Sequence, residues 1–362
     1  MPRFTWTAKY ILSGGGTYTI TDIQAIQISW GLRNITDVWA PAKIVIDGRN
    51  PGQFTSVPIK IDQQLKVEMS STSGTPTVNG KPMFYGYISD IAYNYDFVTN
   101  GDTWRIEGEG TSAKIGRKTG DATWTAGNNI EQAVEAFNPP VTINGYDLGS
   151  EVSAQTFTDT QFGNLLGILL QMEQGAIGES NVIVDLYGRN YTAWQGYTWS
   201  DGTIARPSYI KYDNISFGSR AQNYSNKVIV SPQGLAEQSA GTGDRVFALS
   251  TYDQTTAQAA DLANYLNASL ILQEGQPIQI SAVDYAQDNN YLSSMGYAPK
   301  PWSDMSIDFR GGFYQAYAIG GTISATPDGA RFTFNLIPQS VKDFLILGST
   351  SKGILGTSKL GF

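Results

Sequence analysis

At 362 residues, with 41% hydrophobic and 15% charged residues, the chain is long enough for two or three modest domains and apolar enough to bury a core. It has no cysteine and no histidine, which excludes disulfides, thiolate metal sites and the usual neutral-pH general base. A formal net charge of −8 disfavours ordinary nucleic-acid binding, and no apolar run of about 18 residues is present to span a membrane as a helix.

Gly, Tyr, Trp and small polar residues take the place of charge, a mixture that suits sheets and turns better than helices. The opening MPRFTWTAKYILSGGG has no apolar core long enough for a signal peptide, so assembly in the cytoplasm is expected. IQAIQISWGLRN (23–34) and AKIVIDGRNPGQF (42–54) predict strands broken by WAPA and GRNPG, and VPIKIDQQLKVEMS (57–70) predicts a further pair. The next stretch, 83–110, alternates with period two around the Asn-Gly turn TNGDT and predicts a hairpin. Along its first strand the even positions begin apolar at Phe84 and Ile88, then turn polar at Asp90 and Asn94. Turn signals every 8–12 residues through 1–118 favour a sandwich or barrel.

The middle changes period. NNIEQAVEAF (128–137) and TDTQFGNLLGILLQMEQG (158–175) predict helices, the second stopped at Gly175. Two short strands around YGRN are predicted in 181–194, and a third helix in 253–275. Strands return at 227–232, 277–285 and 305–312, and AIGGTISATPDGARFTFNLIP (318–338) predicts a second hairpin whose outline echoes the first. The domains expected are 1–118, a helix-containing middle at 119–225, a second β unit at 226–340 with an inserted helix, and an arm at 341–362.

Candidates for chemistry are thin. SGGG (13–16) lacks the Lys-Ser/Thr of a phosphate loop and reads as a turn. Asp90, Glu107 and Glu109 could pair as glycosidase carboxylates, but their alternation along strands is that of a solvated face. Asp284, Asp288 and Asn289 lack the glycine and distal glutamate of a calcium loop. Tryptophans 6, 30, 39, 124, 194, 199 and 302 could form a sugar platform, yet no spacing lines them along one groove. No catalytic, cofactor or metal residue is assigned. The tail DFLILGSTSKGILGTSKLGF (343–362) nearly repeats LGSTSKG as LGTSKLG and is basic on an acidic body. Its Leu345, Leu347, Ile354, Leu355, Leu360 and Phe362 are expected to form a docking arm on a neighbouring subunit.

In order, these pieces resemble the tail-tip (baseplate) hub or minor tail proteins of long non-contractile-tailed bacteriophages, which are similar to the hubs of contractile tails. The resemblance is carried by DIQAIQISWGLRNITDVWAPAKIVIDGRNPGQF, FYGYISDI, LLGILLQMEQG with VIVDLYGR, NYSNKVIVSPQG, GGTISATPDGARFTFNLIP and the leucine-rich terminus. It implies a mainly β fold with α+β insertions, in which two similar β-barrel tube domains flank the middle region. It further implies a non-enzymatic virion protein whose homotrimer imitates sixfold symmetry at the tail tip. Its partners would be a distal tail protein, a tape measure protein and other minor tail or fibre proteins, and genomic DNA would pass through without sequence-specific binding. The acidic balance suits a conduit, because carboxylates disfavour phosphate contacts. The alternatives are a carbohydrate- or receptor-binding β protein of the virion and, further off, a carboxylate-dependent cell-wall hydrolase.

Overall fold

The computed structural model describes residues 4–12, 14–71, 80–98, 101–180, 182–189, 197–200, 210–218, 224–270, 276–283, 303–310 and 312–338. The chain is mainly β, with four α-helices among these residues. The first seven strands are β1 (Phe4–Ile11), β2 (Thr17–Ile20), β3 (Ile23–Gly31), β4 (Lys43–Arg49), β5 (Gln64–Ser71), β6 (Lys81–Asn94) and β7 (Thr103–Gly110). A middle region follows, with α1 (Ala113–Gly116), β8 (Thr119–Trp124), β9 (Asn128–Asn129), α2 (Ile130–Glu135) and β10 (Thr142–Tyr146). It continues through β11 (Glu151–Val152), β12 (Gln155–Gln161), α3 (Phe162–Glu173), β13 (Ala176–Glu179) and β14 (Ile183–Tyr187). Then come β15 (Tyr197–Ser200), β16 (Ile210–Lys211) and β17 (Asn214–Gly218), and a small unit of β18 (Lys227–Pro232), β19 (Gln238–Gly241), β20 (Val246–Thr251) and α4 (Thr256–Ser269). The last strands are β21 (Gln276–Val283), β22 (Ser303–Phe309), β23 (Gly312–Thr326) and β24 (Gly329–Pro338).

Fourteen strands from both ends of the chain form one sheet. Within it the order β3-β4-β7-β6-β5 is repeated as β17-β21-β24-β23-β22, all antiparallel and with the strands in matching chain order. Cross-strand rows correspond as well: Ile26–Ile46–Ile106–Ile91 in the first set and Ile215–Ile280–Phe334–Gly321 in the second. Both long hairpins carry a bulge at the same rung, between Ile88 and Asp90 and between Ala318 and Gly320. The flanking strands diverge, since β1 runs antiparallel to β5 whereas β15 runs parallel to β22.

The two sets share one apolar core containing Ile28, Ile46, Leu65 and Ile106 together with Ile280, Ile307, Ile323 and Phe334. They are sewn together where β3 pairs with β23 from Gly31↔Gly320 to Ile26↔Ala325. Gly31 is required at that seam: its φ is +67°, and a Cβ there would lie 2.3 Å from the Ile319 carbonyl oxygen. Trp30 and Trp6 cover the seam through Phe334 and Phe332, with ring centroids 6.4 and 6.3 Å apart.

A second core, built on Trp124, Phe137, Phe162 and Leu169, fills the middle region; the third joins α4 to Leu32, Ile35, Tyr317 and Ile319. The unit of β18 to β20 and α4 enters between β17 and β21, where the first set has only the loop 32–42 between β3 and β4.

Several boundaries differ from expectation. The stretch 57–70 makes one strand, because Asp62 turns the chain at φ 65° and leaves β5 alone to pair. The helix expected over 158–175 begins at Phe162, since 155–161 pairs with β8, and it ends on Gln174 in the left-handed region, one residue before Gly175. Capping boxes at Asn129 with Gln132 and at Thr255 with Gln258 set the starts of α2 and α4. For 183–187 the partners are β13 and β10; residues 190–194, expected to complete a hairpin there, lie outside the described residues.

Candidate functional site

Among the described residues, the candidates for chemistry do not converge on a cleft. Of SGGG, Gly14 to Gly16 lie between β1 and β2 in a hairpin turn, where the Leu12 amide donates to the Gly16 carbonyl at 2.7 Å. Asp90 and Glu107 are cross-strand neighbours on the face of the sheet turned away from the core, and Glu109 accepts from Arg117 at 2.7 Å. Trp6, Trp30 and Trp124 are spent in packing, and Asp284, Asp288, Asn289, Trp194 and Trp302 lie outside the described residues. Among the described residues no cluster of acidic side chains is arranged to hold a metal ion. The expected arm, with Leu345, Leu347, Ile354, Leu355, Leu360 and Phe362, also lies outside the described residues.

Carboxylates that are partly or wholly buried serve as pins. Glu179, at the end of β13, accepts from the Ala42 amide at 3.0 Å, the Ser112 amide at 2.8 Å and the Ser112 hydroxyl. It thereby ties the middle region to the ends of β4 and β7. Burial pushes its carboxyl above the ordinary value, and the three donors only partly offset this. Glu68 on β5 is the opposite case: burial alone would raise it, but Lys66 and Lys9 outweigh that and hold it below the ordinary value. At the equivalent rung of β22 stands another buried acid, Asp308.

What the fold leaves open is backbone. Beyond its bulge, β23 is covered by β3, and Gly320, Gly321, Ile323 and Ala325 are buried. The equivalent stretch of β6, from Asp90 to Asn94, pairs with β7 on one side and with no described strand on the other. On that side the Ile91 amide is met by the carboxylate of the adjacent Asp90 at 2.8 Å. The same stretch and its extension expose Tyr93 (41%), Tyr95 (54%), Phe97 (92%) and Val98 (92%). Among described strands β17 pairs only with β21, and its Ile215 and Phe217 are half-buried where the matching Ile26 and Ile28 of β3 are buried. Among the described residues, each set of strands therefore leaves one stretch of edge unpaired. Sequence reasoning did not single these edges out; the signal was the aromatic run YNYDFV (93–98) where turn residues would be polar.

The fold is similar to that of solved phage tail proteins. The 43 kDa tail protein of prophage MuSo2 from Shewanella oneidensis superposes with a TM-score of 0.62 at 12% identity, covering 93% of this chain and 99% of that one. A tail protein from Neisseria meningitidis MC58 gives a TM-score of 0.65 at 10% identity over 94% and 98% of the two chains. An E. coli type VI secretion system component, described as structurally similar to the T4 bacteriophage tail proteins gp27 and gp5, gives 0.51 at 13% identity, over 89% of this chain and 74% of that one. No family model and no curated protein sequence matches the chain.

Proposed function

We propose that the protein is a structural tail-tip hub of a bacteriophage. Three copies form a ring that imitates sixfold symmetry, continues the tail tube, connects it to the receptor-binding apparatus and leaves a channel for DNA ejection. The observation that carries this is the duplicated strand order within one sheet: two equivalent modules per chain let three chains present six equivalent faces. The chain resembles tail proteins over nearly its whole length, which supports a virion component joined to other tail proteins. On this reading the chain works by assembly and needs no catalytic residue. The units are 1–118 and 226–340 as tube modules, the second taking its edge strand β17 from the end of the hub middle 119–225, and 341–362 as an arm docking on a neighbouring subunit.

The test is a reconstruction of the tail together with the mass of the purified chain. Three copies in a ring at the tail tip are expected; a single copy per particle, or a position on a fibre, would remove the reading. Deleting residues 344–362 should leave a folded protein that no longer joins tails, and normal incorporation of the shortened chain would remove the arm.

A further inference from the structure

The seam inside the chain supplies a template for the contact between chains. Resting on the ring reading above, we propose that β17 of one copy pairs antiparallel with the open edge of β6 in the next, placing Ile215, Ser216, Phe217 and Gly218 opposite Tyr95, Asn94, Tyr93 and Ala92.

The register follows from the matching rows. Ile26 and Ile215 begin equivalent rows, and Ile91 and Gly321 end them. Ile26 also pairs with Ala325, which follows Gly321 on β23 by the interval that separates Tyr95 from Ile91. Carrying that pairing over sets Ile215 opposite Tyr95, and the antiparallel ladder fixes the rest. The side chains agree with the assignment. In the seam Ile28 faces Ile323 within the core; in the proposed contact Phe217 faces Tyr93 on the corresponding side. Tyr93 already leans on Phe54 at a centroid distance of 6.0 Å, and Phe217 on Phe309 at 4.8 Å, so both rings are held ready at the margin of a core. On the other face Ser216, Gly218, Ala92 and Asn94 are small or uncharged, as are Gln27, Ser29, Thr322 and Ser324 at the seam. No like charges oppose one another in the described part of the contact.

A contact between two different edges is head-to-tail, so it closes into a ring or runs on as a filament. In three copies, three internal seams and three contacts of this kind would alternate around one continuous sheet.

Because the natural chain has no cysteine, Ser216→Cys and Asn94→Cys chains each carry a single thiol. Directly opposed residues of an antiparallel ladder lie about 4.5–5.5 Å apart at Cα, within disulfide reach. Assembled together and gently oxidised, the two variants are expected to give a disulfide-linked pair, while either alone stays single. The S216C/N94C double variant should climb to three linked chains and stop. Moving one thiol along the strand, with Ala92→Cys in place of Asn94→Cys, makes the pair diagonal at about 7–8 Å and should cut the linked yield several-fold. Hydrogen exchange on the unaltered protein gives a second readout: amides of 91–95 and 215–218 should gain protection on assembly. A protein that is trimeric by mass but shows no linked pair and no added protection overturns the strand pairing and leaves the ring intact. Equal linking by the shifted pair overturns the register. A chain that stays monomeric, in solution and in the tail, overturns both.

Discussion

The hairpin of β6 and β7 and that of β23 and β24 share a bulge and a place in the strand order, yet they treat the same edge differently. Over GGTISA (320–325) β23 lies against β3, and glycine and alanine let the two backbones meet closely. Over DIAYNY (90–95) β6 carries two tyrosines, an aspartate and an asparagine, and no described strand covers the edge. A seam formed during folding can be made of small apolar residues. An edge that must wait for a partner has to remain soluble as a monomer, and Asp90 occupying the Ile91 amide is one way to blunt it. The difference shows that burial at equivalent rungs follows whether a described strand of the chain covers them.

The most damaging change should strike the closed seam. Gly31→Val puts a β-branched side chain at positive φ against the Ile319 carbonyl, and a loss of roughly 3–5 kcal/mol in unfolding free energy is expected by urea denaturation. A stability within about 0.5 kcal/mol of the parent would mean that the halves are not held by this seam.

Next comes the Glu179 pin at the ends of β4 and β7. Glu179→Ala orphans the Ala42 and Ser112 donors in a buried place and should cost roughly 2–4 kcal/mol. Its pH signature is separable. Because the folded carboxyl is raised above its ordinary 4.5, its contribution is full below that value and is lost as pH rises through the raised one. Glu179→Gln should flatten that decline; an unchanged stability–pH curve would refute the role of burial at this site.

Glu68 gives the opposite slope at a smaller scale. Its carboxyl is held below 4.5 in the fold, so the stability it supplies is present above that value and lost as pH falls through the lowered one. Glu68→Gln should cost about 1 kcal/mol at neutral pH, with Lys9 and Lys66 partly exposed, and should lessen the loss of stability in acid. The test is a pair of urea titrations at pH 7 and pH 3.5.

Much of the first module was legible because its pattern is local. The switch from apolar to polar at even positions after Ile88 was the bulge at Ser89 written in the sequence: a residue added to one strand flips every later side chain. The Leu-rich face of α3 was readable for the same reason. The β3–β23 seam was not, since partners some three hundred residues apart leave no local period. The repeated strand order surfaced only in the hairpins, because the other matched strands share order and direction but not residue pattern. Asp159 in the left-handed region and the strand before Phe162 shortened a helix that periodicity alone extended. The open edges escaped notice because exposure depends on which strand is missing, and a sequence does not state its neighbours.

The smallest effect on folding should be at the open edge, and it is the sharpest form of the comparison. Tyr95 is more than half exposed, so Tyr95→Ser should change unfolding free energy by less than about 0.5 kcal/mol. If the edge is an assembly surface, the same change removes apolar area that a neighbour would cover, and trimer formation should weaken measurably in sedimentation at fixed protein concentration. Should Tyr95→Ser instead unfold the chain while leaving the assembly of its folded fraction untouched, the edge would be an inner support of the first module, and β6 and β23 would differ in packing alone.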